Sequence, residues 1–185
     1  MASILGSILF YLAVTAALLI MIFYVLPVVA AFSLTGGSTF VPTSKEKIET
    51  VLDLIPMEPG AVVMDLGCGD GRFLVAAERR YGVEAVGYEI NVTAYLLARL
   101  NILRHRARAR VHLKNFRKVD LGRADFVFCY LFPDALGGLK WKFDAELKPG
   151  CVVVSCDYPI EEWREPEVTP FRAKNKEEMI YIYRL

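Results

Sequence analysis

An α/β fold is predicted for this chain: a Rossmann-like, doubly wound sheet, mostly parallel with an antiparallel C-terminal strand, preceded by one N-terminal transmembrane helix. Three observations predict it. From Lys45 onward, short apolar runs alternate with segments of helical spacing. A glycine run, Gly67, Gly69 and Gly71, directly follows the first of those apolar runs. Before Lys45 there is no charged residue at all. The length, 185 residues, allows about one domain.

From about Ile4 to Phe32 the chain is almost continuously apolar, with Gly6, Ser7 and Thr15 the soft interruptions before Pro27. A spanning helix needs about 20 apolar residues, so the run is long enough, with tilt or a bend near Pro27. A cleavable signal peptide wants a positive start and an apolar stretch of roughly 7–15 residues. This run has no positive residue and is too long. Residues 1–35 are read as a membrane anchor, 36–60 as a linker with a pre-motif helical segment, and 61–185 as the folded domain, with a functional unit of about 38–185. Gly36-Gly37-Ser38 is a joint between them. Lys45 and Lys47 follow the anchor, which favours the folded part on the cytoplasmic side of a single-pass membrane protein, with the lipid bilayer as a partner.

Ser44 is a candidate N-cap for a helix carrying Ile48, Val51, Leu52 and Ile55 on one face, stopped by Pro56 and Pro59-Gly60. Ala61 to Leu66 is a strand, and Arg72 to Arg80 a helix. Glu84 to Glu89 is a second strand and Val92 to Arg104 a second helix. Arg110–Lys114 and Ala124–Tyr130 are further strands. Asp134 to Leu147 is helical and ends before Pro149-Gly150. Cys151–Cys156 and Met179–Tyr183 are the last strands. Strands alternating with helices imply βαβ units and a largely parallel sheet.

Composition removes several function classes. A net charge of +1 gives no general attraction to nucleic acid, and none is expected as a partner. The cysteines Cys68, Cys129, Cys151 and Cys156 make no CxxC pair and no Cys/His cluster of metal-ligand spacing, so no metal and no disulfide framework are expected. The basic run Arg99, Arg104, Arg106, Arg108 and Arg110 reads as a solvated helix end, or as a contact for anionic headgroups or an acidic substrate surface.

The pattern Asp65-Leu66-Gly67-Cys68-Gly69-Asp70-Gly71 carries the chemistry. It places a glycine turn between a strand and a helix, where free N–H groups meet a ligand. A dinucleotide site wants a third small residue after two spacers, and that position is Arg72. An acidic residue two before the first glycine instead suits the amino group of S-adenosylmethionine. Glu89, at the end of the second strand, can accept from both ribose hydroxyls. Asn115 can read the adenine edge, with Phe116 as an apolar wall. The cofactor-binding candidates are Asp65, Gly67, Cys68, Gly69, Gly71, Glu89, Ile90, Asn115, Phe116 and Tyr130.

With these residues in view the chain resembles the seven-strand class I protein lysine methyltransferases. The residues that carry the likeness are Asp65 to Arg72, Gly87-Tyr88-Glu89-Ile90-Asn91, Asn115-Phe116, Glu146 to Gly150, Val153-Val154-Ser155, Trp163, and Phe40-Val41-Pro42-Thr43 upstream. It is similar to the small archaeal broad-specificity lysine methyltransferases. It also resembles the membrane-anchored mitochondrial enzymes acting on the adenine nucleotide translocase and the ATP synthase c-subunit. The resemblance implies a seven-strand sheet, a protein substrate and, for a mitochondrial member, a matrix-side domain. Tyr130-Leu131-Phe132-Pro133-Asp134 departs from the Asn/Asp-Pro-Pro-Tyr signature of nucleobase or glutamine methylation.

The expected activity is therefore methyl transfer from S-adenosylmethionine to a lysine of a membrane or membrane-proximal protein. A methyltransferase for a small lipophilic molecule, such as a quinone or lipid, and a non-catalytic tethered cofactor-binding module are the alternatives. Candidate walls of the acceptor channel are Phe40, Val41, Pro42, Thr43, Tyr130, Phe132 and Pro133. No catalytic base is assigned, and His105 and His112 read as surface or structural residues.

Overall fold

The computed structural model describes residues 2–34, 41–173 and 176–185, with side chains of the first helix described without interruption from Phe10 to Val25. The chain divides into two units, Met1–Thr39 and Phe40–Leu185. The first is α1 (Ala2–Leu34), with no acidic residue in its first turn and no basic residue in its last. Among the described residues no helix is long and apolar enough to cross a membrane. That corrects the expected transmembrane anchor, its bilayer contact and the single-pass membrane placement.

In the second unit Ser44 caps α2 (Lys45–Leu54) as expected, its hydroxyl accepting the Lys47 N–H at 3.1 Å. Ile48, Val51 and Leu52 are buried along one face of this helix. Then come β1 (Val62–Leu66), α3 (Arg72–Tyr81), β2 (Glu84–Glu89), α4 (Val92–Arg104), β3 (Arg110–Leu113), β4 (Phe126–Cys129), α5 (Pro133–Leu136), α6 (Leu139–Glu146), β5 (Val152–Cys156), β6 (Glu167–Ala173) and β7 (Lys176–Arg184). The sheet has seven strands in the order β3-β2-β1-β4-β5-β7-β6. The first five strands pair in parallel. β7 runs antiparallel to β5, and β6 antiparallel to β7.

Two elements differ from the sequence expectation. The single helix expected over Asp134–Leu147 is two, α5 and α6, because the chain turns at Gly137-Gly138, where Gly138 adopts φ 75°. The edge strand β6 was not foreseen. Pro170 lies within it, and an edge is where a residue without an N–H is tolerated.

Strand alternation divides the core between the two faces of the sheet. Val63, Phe128, Val154 and Ile182 pack with residues of α2 and α3, while Met64, Val127, Val153 and Tyr183 pack with Leu139 and Phe143 of α6. Strand order reverses between β1 and β4, so the crevice beyond their carboxyl ends is the topological switch point where ligands bind in this architecture.

Candidate active site

The glycine loop leaves β1 at that switch point. The Gly67 and Cys68 N–H groups both donate to the Tyr88 carbonyl, at 2.9 and 3.1 Å, which fastens the loop to the end of β2. Gly67 sits at φ 78°, a left-handed conformation that favours glycine, and its open side faces the end of the Leu131 side chain. Gly71 is the N-cap of α3 at φ 72° and has no side chain to cap it; Asp70 Oδ1 accepts the Arg72 N–H at 3.3 Å.

Glu89 braces this loop. Only 8% exposed, it accepts the Gly69 N–H on Oε2 at 2.9 Å and the Ile90 and Asn91 N–H groups on Oε1 at 2.8 Å each. Three backbone donors thus converge on one carboxylate and join the glycine loop to the end of β2. The ribose role expected for Glu89 would have to share the lone pairs these donors leave.

Asp65 is 3% exposed at the end of β1, and among the described residues its carboxylate accepts no hydrogen bond. Burial, then the nearby Glu89 and Asp70 charges, hold its carboxyl well above the usual carboxylate range. The Asp65 carboxyl group opens on the cleft, where a cationic donor from a ligand can reach it. The ammonium of the amino-acid half of S-adenosylmethionine supplies that donor, so the residues present fit this group.

The upstream segment closes over the same place. Arg72 makes a two-pronged pair with Asp70, Nε to Oδ1 at 2.9 Å and Nη2 to Oδ2 at 2.6 Å, and its Nη1 donates to the Thr43 carbonyl at 2.9 Å. Val41 and Thr43 therefore line one cleft with Asp65, Gly67, Phe73, Phe128 and Tyr130. Cys68 and Gly69 line it too, and burial pushes the Cys68 thiol up, so it serves as a small apolar wall and not as a nucleophile.

The expected site residues are not all gathered there. Gly71, Glu89, Ile90, Asn115 and Phe116 lie outside the cleft lining. The Asn115 side-chain oxygen is committed to a cap, accepting the Arg117 N–H at 2.9 Å at the start of a short 3-10 turn, Phe116–Lys118. Phe116 is half-buried against the second core cluster. Pro133 lines a second cavity with Leu136, Tyr158 and Ile160, and the half-exposed Phe132 ring stands 6.5 Å from Tyr158. Pro42 is exposed beside the cleft, and Phe40 lies outside the described residues. Among the described residues no group of His, Cys, Asp and Glu could hold a metal ion. All the cysteines are free and buried.

Sequence reading missed Asp70 and Arg72 as a strut, Phe73 and Phe128 as stacked walls with ring centroids 3.9 Å apart, and Lys47. Arg72 entered as an obstacle to a dinucleotide, as the start of a helix and as the end of the motif that carries the family likeness, but not as a strut. Its place next to Asp70 at the start of α3 was the available signal.

The family described as "ANTKMT methyltransferase domain" matches residues 65–167. A protein-lysine N-methyltransferase of Saccharolobus islandicus (strain REY15A) is 35% identical over 78% of this chain and 91% of its own length. The mouse adenine nucleotide translocase lysine N-methyltransferase is 39% identical over 68% of this chain, which spans only 55% of that enzyme. Among solved structures, an RNA methyltransferase from Salinibacter ruber in complex with S-adenosyl-L-homocysteine is similar at a TM-score of 0.70 and 28% identity. That match covers 77% of this chain and 92% of the other.

Proposed function

The chain belongs to the ANTKMT methyltransferase domain family, and from that premise we propose that it transfers the methyl group of S-adenosylmethionine to a lysine side chain of a protein. It is an S-adenosylmethionine-dependent methyltransferase, and the archaeal relative, matched over nearly its whole length, is named for protein lysine. The observation that carries the site assignment is the unpartnered Asp65 carboxylate facing a left-handed glycine loop at the switch point.

S-adenosylmethionine supplies, when bound, a methyl group on a positively charged sulfur that leaves as a neutral thioether. Asp65 would accept from its ammonium, and the loop from Gly67 to Gly71 would lie against it, held in place by Glu89. The acceptor nitrogen must arrive neutral. With a reference pKa of about 10.4, roughly one lysine in a few thousand is neutral at pH 7. Phe73, Phe128, Tyr130 and Val41 are the apolar part of the cleft lining, and an acceptor amine passing along them would have its pKa lowered by desolvation. Arg72, tied to the Thr43 carbonyl, holds the upstream segment at the cleft.

Incubation with methyl-labelled S-adenosylmethionine and a cell extract, followed by separation into protein, lipid and RNA, tests the reading. Label recovered as methyllysine in the protein fraction supports it. Label confined to lipid or RNA overturns the lysine acceptor.

A further inference from the structure

We propose that Lys47 is a positioning residue for the acceptor side of the site, acting through Tyr130; the inference rests on the lysine-methyltransferase reading above. Lys47 lies on the apolar face of α2 and is only 2% exposed. Its Nζ is 2.6 Å from Asp157 Oδ1 and 2.7 Å from Glu178 Oε2. The same ammonium sits over the Tyr130 ring, 4.4 Å from the centroid, with the Phe171 ring at 5.9 Å. One cation thus joins α2, the residue after β4, the turn after β5, and β7.

Such a cluster is expensive to bury, and well-packed apolar residues would often be as stable or more so. Stability alone gives no reason for it. Asp157 adds to the cost: it adopts φ 69° without being glycine, immediately beyond the carboxyl end of β5, its N–H donating to the Met179 carbonyl at 2.8 Å. Strain of this kind persists where the surroundings over-determine a position.

What the cluster determines is Tyr130. The ammonium fixes the ring face, and the Asp157 carboxylate interacts with the phenol. Tyr130 is also the residue through which the cluster reaches the cleft shared by Asp65, Val41 and Thr43. Lys47 further compensates the Asp157 carboxylate, which would otherwise attract an acceptor ammonium and keep it charged. Alignment of the attacking nitrogen dominates an in-line displacement, and an error near 1 Å costs about a hundredfold.

The test measures methyl transfer to a lysine-bearing protein and, separately, S-adenosylmethionine affinity by calorimetry, for wild type, Lys47→Met, Lys47→Arg, Tyr130→Leu and the Lys47→Met/Tyr130→Leu pair. Expected are a kcat roughly 10- to 100-fold lower for Lys47→Met, cofactor affinity within about threefold of wild type, and recovery of most of kcat in Lys47→Arg. Adding Lys47→Met to Tyr130→Leu should cost nothing further. Unchanged kcat in Lys47→Met, a parallel loss of cofactor affinity, or multiplying effects in the pair would overturn the proposal. Should Lys47→Met not fold, Asp157→Asn, which leaves a neutral Lys47–Glu178 pair, reads the same quantity, and an unchanged kcat there also overturns it. An inactive wild type that still binds the cofactor would instead remove the lysine-methyltransferase reading.

Discussion

Replacing Glu89 separates its two roles, bracing the loop and serving the cofactor. In Glu89→Gln the amide oxygen can keep the Ile90 and Asn91 N–H groups now bound at 2.8 Å, but the amide nitrogen then faces the Gly69 N–H, donor against donor. One buried donor is left without an acceptor, at about 1–3 kcal/mol, and the remaining bonds lose their charge assistance. The sum is about 2–4 kcal/mol, a large share of the roughly 5–15 kcal/mol of a typical domain. Glu89→Ala orphans all three donors and should cost more. Urea unfolding with an unchanged slope and a lower midpoint reads the brace. Calorimetric titration with S-adenosylmethionine reads the site, where at least a tenfold loss, about 1.4 kcal/mol, is expected. A Glu89→Gln protein with the wild-type midpoint and wild-type affinity would refute the reasoning on both counts.

Asp65 predicts the opposite sign for stability. Its carboxyl is raised first by burial, so the unfolded chain gives up that proton at lower pH than the folded one, and above the ordinary carboxylate range the group opposes folding. Asp65→Asn should therefore raise the urea midpoint of the ligand-free protein at pH 7 while weakening S-adenosylmethionine binding; a lower midpoint with intact binding contradicts this. Lys47 is pulled down by burial, but its hydrogen bonds to Asp157 and Glu178 outweigh that and hold it at about 12, above its ordinary 10.5. Its contribution is fully present below pH 10.5 and is lost as pH rises through 12, so the wild-type advantage over Lys47→Met in unfolding free energy should shrink by about 2 kcal/mol across that window. In Gly87→Ala the new Cβ would lie 2.5 Å from Leu74 Cδ1 and 2.6 Å from Cys68 Sγ. Overpacking there should cost about 1–3 kcal/mol in denaturant unfolding.

Apart from the split of Asp134–Leu147 into α5 and α6, the helices of the second unit and every strand but β6 were legible, because short apolar runs alternate there with segments of helical spacing. β6 was hidden because Pro170 and Arg172 interrupt its alternation, and only pairing with β7 makes it a strand. The glycine loop, Asp65 and Glu89 were legible from spacing alone, since a strand, a turn and a helix in that order leave few places for them. Asn115 also has a local role that its residue type explains: a short amide before a turn caps its own backbone, and here it does. Lys47 left one trace in the sequence, a charge on the buried stripe of α2 between Ser44 and Ile48, and its two carboxylate partners, Asp157 and Glu178, lie more than a hundred residues away. The apolar N-terminal run shows the reverse error, since hydropathy alone predicted a span that is not found among the described residues.

The most direct test of the central claim is fragment-resolved mass spectrometry of the acceptor after reaction with methyl-labelled S-adenosylmethionine, run beside the Glu89→Ala protein. The account predicts label on a lysine ε-nitrogen with wild type and little or none with the variant. Label on a carboxylate, an amide or a nucleobase, or equal labelling by the variant, would contradict it.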